Sequence, residues 1–208
     1  MKKCISLFIV LALLLSLLPA ALAAEEQIIL SGDGDWLTTS VTVDNTRDYT
    51  ISYDVHMPNI ESCTTPDTWA DSLRMVIRNT TADHYLNLQL QSYCNGSGGY
   101  QLAPSAQVWQ KSGWSDRDFL WSNATAAPIS NLHMELSYTA AGGSYSWVLS
   151  HGDTGAVINT HSLTAGYVTS ELKNCSSCEL KFHRNPTDVT VSNVKLTYTE
   201  SGGTARSK

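Results

Sequence analysis

The chain has 208 residues, of which 42% are hydrophobic and 15% charged, with a formal net charge of −6 at pH 7. No run of Lys or Arg occurs anywhere, so neither the phosphate backbone of a nucleic acid nor an anionic lipid surface finds an electrostatic footing. The modest acidity serves solubility.

The chain opens MKKCISLFIVLALLLSLLPAALAAEE. Two lysines precede an apolar run that breaks at Pro19 and reaches Ala21-Leu22-Ala23. This is the order of a secretory signal peptide over residues 1–23, with Ala-Leu-Ala as the cleavage site. Cys4 lies before the apolar run rather than at its end, against a lipoprotein. Cleavage would remove Lys2 and Lys3, giving −6 − 2 = −8, and leave 208 − 23 = 185 residues. That length suits one well-buried domain. The expected product is secreted, extracellular or at the cell surface, with no membrane segment after cleavage. Residues 24–199 form the predicted domain and 200–208 a flexible polar tail.

Gln27 to Leu30 reads as a short strand, Ser31-Gly-Asp-Gly-Asp35 as a turn and Trp36 to Val43 as a strand. In Asp48 to Met57, Ile51, Tyr53, Val55 and Met57 alternate with Thr50, Ser52, Asp54 and His56, the two-residue period of a half-buried strand. Pro58 to Asp71 reads as a long ordered loop. Ser72 to Gln91 then reads as an antiparallel hairpin turning at Thr80-Thr81-Ala82-Asp83. One register pairs Leu73 with Leu90, Met75 with Leu88 and Ile77 with Leu86, and a one-residue slip would undo all three. The opposite face carries Arg74/Gln89, Val76/Asn87 and Arg78/Tyr85. Short strands are expected near Gly99–Leu102 and Gln107–Trp109, with Trp109, Trp114 and Trp121 in or beside loops. A second hairpin pairs Met134/Leu149, Leu136/Trp147 and Tyr138/Tyr145 around Ala140 to Gly143. Strands follow over Ala156 to Leu163 and Cys178 to His183. In the last, Asp188 to Thr199, the phase shifts between Val191 and Val194, predicting a bulge at Ser192-Asn193. No sustained helical period occurs after the signal, so the fold class is all-β: a two-sheet antiparallel β-sandwich or barrel.

Cys63, Cys94, Cys175 and Cys178 survive processing. Their even number in an exported chain suggests disulfides. The first hairpin's register sends the segments bearing Cys63 and Cys94 out of one end, favouring Cys63–Cys94 and Cys175–Cys178. A Cys₄ zinc site and a thioredoxin-type Cys175-Ser-Ser-Cys178 are the alternatives, the latter without the βαβ pattern it needs.

The stretch Ile77-Arg-Asn-Thr-Thr-Ala-Asp-His-Tyr85-Leu-Asn-Leu88 resembles the "R-N…Y-L-x-L" run of concanavalin A-like lectin/glucanase (laminin-G-like) jelly rolls. Tyr145 to Gly155 resembles their late hairpin, and Val189 to Leu196 their terminal strand, which returns beside the first. The likeness spans Gln27 to Thr199 and rests on strand pattern. It implies a jelly-roll sandwich, a fold shared by lectins, carbohydrate-binding modules, hydrolases and lyases.

A retaining glycosidase needs two carboxylates about 5–5.5 Å apart, and no strand here carries two acids at even spacing. Glu135 and Asp54 each stand alone on their strands. Lyase chemistry would combine Arg, Gln, His and Tyr to neutralise a uronate and move a proton. Arg74, Arg78, Gln89, Tyr85 and His183 supply those residue types without the lyase strand motifs. Sugar binding asks for a ring platform and planar hydrogen-bonding groups. Arg74, Arg78, Tyr85, Asn87 and Gln89 fit, joined by His183 and by Trp109, Trp114 or Trp121 as platforms; Trp36 and Trp147 are read as core. No cofactor is expected, although Asp33 and Asp35 in the Gly32 to Asp35 turn are candidate ligands for a structural calcium ion, without the full spacing of a dedicated loop. The combined reading is an exported, non-catalytic, lectin-like module whose partner is a glycan or polysaccharide. A polysaccharide-active enzyme, lyase before hydrolase, and a structural surface domain are the alternatives.

Overall fold

The computed structural model describes residues 25–95, 99–110, 113–114, 118–163 and 168–199. The expected signal segment and the tail from residue 200 lie outside the described residues. Alternating residues dominate the chain, and the elements are accordingly strands: β1 (Glu25–Gln27), β2 (Leu30–Ser31), β3 (Trp36–Val43), β4 (Tyr49–His56), β5 (Thr68–Asn79), β6 (His84–Asn95), β7 (Gly99–Leu102), β8 (Ser105–Gln110), β9 (Gly113–Trp114), β10 (Asp118–Phe119), β11 (Asn131–Thr139), β12 (Ser144–His151), β13 (Val157–Leu163), β14 (Cys178–Asn185) and β15 (Thr190–Tyr198). Two single helical turns, α1 (Asn59–Ser62) and α2 (Ser170–Lys173), complete the described elements. No helix among the described residues is long and apolar enough to cross a membrane.

The back sheet runs β1-β15-β4-β11-β12-β13, and the front sheet runs β10-β8-β6-β5-β14-β3-β2, with β7 on β6 and β9 on β8. Every pairing is antiparallel. The last strand lies beside the first, so the sandwich has the closing arrangement expected of a jelly roll. Both hairpins adopt the anticipated registers, with Leu73 opposite Leu90 and Ile77 opposite Leu86 in one, and Leu136 opposite Trp147 in the other. Their apolar faces meet between the sheets, where Tyr53 of β4 packs edge-on against Phe182 of β14 at 5.1 Å. The core is continuous across both layers, as burial of one face of each sheet requires.

One end of the sandwich is closed by a buried polar group. The Asn45 side chain donates to the Leu172 carbonyl at 2.9 Å and accepts from the Tyr49 hydroxyl at 2.8 Å, with the Tyr145 hydroxyl 3.2 Å beyond. The expected bulge in the last strand is present: the β15–β4 register shifts between Ser192 and Lys195. Asn193, at φ 52°, takes the left-handed conformation that Asn tolerates, and its amide donates to Asp54 Oδ2 at 2.6 Å.

The Pro58 to Asp71 segment differs from the expected loop. It contains α1, and its last residues extend β5 from Thr68. Buried Asp71 orders it by accepting from the Ile60 amide at 3.0 Å and from Asn59 Nδ2 at 2.8 Å.

The expected disulfides are not formed: Cys63, Cys94, Cys175 and Cys178 are free thiols. The anticipated neighbours do lie together. Cys94 Sγ donates to the Cys63 carbonyl at 3.4 Å, and Cys178 Sγ to the Cys175 carbonyl at 3.8 Å. Burial pushes the Cys178 thiol well up, with Cys175 adding to the effect, and Cys94 is raised in the same way beside Cys63. Both shifts move the thiols away from the thiolate, the form through which disulfide chemistry proceeds.

Candidate functional site

The outer face of the front sheet is built in rows across its strands. One row runs Glu179–Arg78–Tyr85–Trp109, the next Lys181–Val76–Asn87–Gln107, and the third His183–Arg74–Gln89–Ser105. These residues face outward because Leu73, Met75 and Ile77 on β5, and Leu86, Leu88 and Leu90 on β6, take the inner positions. Above the first two rows lies an open cleft of about 490 Å³, walled by Trp36 on one side and Trp109 on the other.

Asp83 organises the cleft's upper end. It sits in the hairpin turn at φ 57° and accepts from Arg78 at 2.7 Å and from the Trp109 indole at 3.4 Å. The Arg78 hydrogen bond, then that of Trp109, holds its carboxyl below the ordinary aspartate range. Trp109 stacks with Tyr85 at 5.9 Å and 26°, and the Arg78 guanidinium lies 5.8 Å from the Tyr85 ring centre. Burial and Asp83 together raise the Tyr85 hydroxyl above its ordinary value. Lys181 and Glu179 pair at 2.6 Å. A ring platform and two internally neutralised ion pairs therefore share one cleft.

Beyond the cleft lining, the outward row of the same face is polar and deeply covered. Asn87, Gln89 and Ser105 are 3%, 4% and 3% exposed. Gln89 donates to Ser72 Oγ at 2.9 Å, but its Oε1 has no hydrogen-bond partner, and neither do Asn87 Oδ1, Ser105 Oγ, Gln91 Oε1, His183 Nδ1 or the Nε atoms of Arg74 and Arg78. Seven of the nine such buried atoms among the described residues belong to this one face; the other two, on Tyr138 and Trp147, belong to the interior. Each atom of this kind costs about 1–3 kcal/mol, so their concentration on one surface calls for a cause. His183 is held below the usual histidine range by burial and then by neighbouring Arg74, leaving a neutral imidazole.

Of the residues singled out in the sequence, Arg74, Arg78, Tyr85, Asn87, Gln89, Trp109 and His183 share this face. Trp109 stands on a strand rather than in a loop. The Trp114 backbone lies opposite Trp109, and its side chain is outside the described residues. Trp121 lies away from the cleft, stacking on Trp69 at 5.4 Å and 29°. Trp36, expected in the core, is 48% exposed and meets His183 edge-on at 4.8 Å. The reason is the alternation itself: Leu37 and Val43 take the inner positions of β3, and Trp36 falls on the other side.

Asp33 and Asp35 are exposed. The carbonyls of Asp33, Gly34 and Asp35 accept from the side chain and amide of Arg184 at 2.8–3.0 Å, so a guanidinium occupies the oxygens of this turn. Among the described residues, no three His, Cys, Asp or Glu side chains converge as a metal site. Sequence reasoning did not single out Asp83, Glu179, Lys181 or Trp36 for the cleft. Asp83 carried a local signal, lying in the hairpin turn five residues from Arg78. Glu179 and Lys181 reach the site only because β14 lies beside β5, an adjacency that strand periodicity does not contain.

No protein-family model matches the chain, and no curated protein does. Several solved structures are similar to it. The basic winged bean lectin, solved with Tn-antigen, is 10% identical over 85% of this chain and 94% of its own, with a TM-score of 0.49. The CBM2 module of the evolved Dit of Lactobacillus casei phage J-1 is 11% identical over 83% and 74%, TM-score 0.46. An alginate lyase from Pseudomonas aeruginosa is 7% identical over 78% and 70%, TM-score 0.43. At such identities these likenesses concern strand arrangement and carry nothing about the residues on either outer face.

Proposed function

We propose that this chain is an exported, non-catalytic carbohydrate-binding module that receives a glycan on the outer face of its front sheet. The observation that carries the reading is the open cleft of about 490 Å³ with the Tyr85–Trp109 ring pair in its lining. Arg78, Asp83, Glu179 and Lys181 line the same cleft and suit sugar hydroxyls, which both donate and accept. The Tyr85–Trp109 pair supplies a flat apolar surface for the C–H face of a pyranose. Export follows from the signal-like first 23 residues.

A second reading, a polysaccharide lyase, is favoured by one feature: His183, Arg74 and Gln89 form a continuous cross-strand row, with Tyr85 on the same face. A neutral imidazole beside a guanidinium could take a proton while the cation holds a uronate carboxylate. Glycan-array binding, run in parallel with an assay for unsaturated uronate products on alginate and related polyuronates, separates the two. The binding reading expects retention of at least one glycan class with no product formed. Eliminative cleavage would replace it with the lyase reading, and absence of binding to every glycan would remove both.

A further inference from the structure

A second aromatic cluster stands at the other end of the same sheet face. Trp69, Tyr93 and Trp121 contact one another at 4.8–5.4 Å between ring centres. Trp69 and Trp121 are 42% and 45% exposed, although burial of such rings is the rule. Trp69 reaches this side of the sheet through a device in the backbone. The β5–β6 register shifts between Trp69 and Asp71, so Ala70 is the extra residue of a bulge. Without it, Trp69 would share the inner face with buried Asp71 and Leu73; with it, Trp69 stands opposite Tyr93 on the outer face, the re-aiming that bulges perform. The Tyr93 hydroxyl donates to Asp67 Oδ1 at 3.0 Å, which fixes the ring's attitude.

The two platforms lie on one strand. Tyr85 and Tyr93 are eight residues apart on β6 and face the same way, a separation of about 25 Å at the strand rise. Between them the outward positions of β6 are Asn87, Gln89 and Gln91, each with an unpartnered amide oxygen. The surface is therefore a ring platform, a polar stretch whose amide oxygens are covered, and a second ring platform. A mono- or disaccharide cannot span it.

Resting on the carbohydrate-binding reading above, we infer that the ligand is an internal stretch of a long linear polysaccharide lying along β6, with Trp69, Tyr93 and Trp121 as a distal subsite. The face grips the chain at both ends through ring stacking, so affinity depends on chain length until both platforms are covered.

The test uses size-fractionated linear oligosaccharides, dimer to decamer, of β-linked glucan, β-linked mannan and mannuronate, titrated into the purified protein by calorimetry. The inference expects affinity to rise about tenfold or more between the tetramer and the octamer of whichever series binds. Trp69→Ala should lower octamer affinity about tenfold, leave the tetramer unchanged and shift thermal unfolding little, because the ring is largely exposed. Trp69→Phe should restore most of the loss, and Trp121→Ala provides a second, independent probe of the same subsite. Trp109→Ala should weaken short and long chains alike. A plateau in affinity at the tetramer, or full octamer affinity in both Trp69→Ala and Trp121→Ala while Trp109→Ala loses binding, overturns the distal subsite and leaves the binding reading standing. No binding by the unaltered protein to any series overturns both.

Discussion

The two hairpins, β5–β6 and β11–β12, solve the inner face of the sandwich in the same way and the outer face in opposite ways. On β11–β12 the outward groups are exposed or matched: His133 pairs with Asp54 at 2.6 Å, and the Ser137 and Thr50 hydroxyls meet at 3.3 Å. Hydrogen bonds from Asn193 and His133 hold the Asp54 carboxyl below its usual range against the opposing effect of burial. No buried unpartnered polar atom occurs on that outer face among the described residues. On β5–β6 the outward amides of Asn87 and Gln89 are sunk to a few per cent exposure, and their oxygens have no partner. A back sheet satisfied by its own side chains and a front sheet that is not differ in what completes them. The first needs only water, whereas the second carries the energetic cost of polar atoms closed off from water.

That contrast can be broken or sharpened by measurement. The largest effects should be symmetric. Ile77→Ala and Leu136→Ala each remove a fully buried side chain and should cost about 2–5 kcal/mol in chemical denaturation; a much smaller loss in one hairpin would show that the two do not share a single core. Next comes an asymmetric pair. Trp109→Ala should weaken glycan binding about tenfold, or about 1.4 kcal/mol, whereas Glu135→Ala on the exposed back face should leave both binding and stability within about 0.5 kcal/mol.

A reversed sign is expected at the covered polar row of the same face. Asn87→Leu replaces a buried, unpaired amide with an apolar group of similar volume and should stabilise the protein by about 1 kcal/mol while lowering glycan affinity. Stabilisation without loss of binding would separate that amide from the site. The smallest effect is in pH. The folded protein holds His183 below the ordinary histidine value of about 6.5, so between the two values the unfolded chain binds more protons and stability rises with pH. Acidification from about pH 7 to about pH 5 should lower the melting temperature, and His183→Gln should flatten part of that slope; an unchanged slope would argue that other groups set it.

The parts of the molecule written in local alternation were legible. The six apolar residues around Thr80 to Asp83 admit one register, and β5–β6 has it. The phase slip between Val191 and Val194 foretold the Asn193 bulge in the same manner. What depended on strand order across a sheet was hidden, such as Glu179 and Lys181 arriving beside Arg78 and Val76. Trp36 was misread because its apolar ring outweighed its parity in β3, although Leu37 next to it already claimed the inner face. Trp69 carried a different obstacle: a single extra residue, Ala70, inverts its side, and nothing in the composition of the segment announces that. Cysteine proximity was readable from the hairpin, but the burial that raises the Cys178 thiol comes from the packed core.

Asp83 ties the cleft to a four-residue turn in the front sheet. One carboxylate both closes the β5–β6 turn region and steers a guanidinium and an indole, so the tetrapeptide Thr80 to Asp83 is a natural point of divergence. A change there would alter the contacts of Asp83 with Arg78 and Trp109 while the strands on either side, and the core beneath them, stayed as they are.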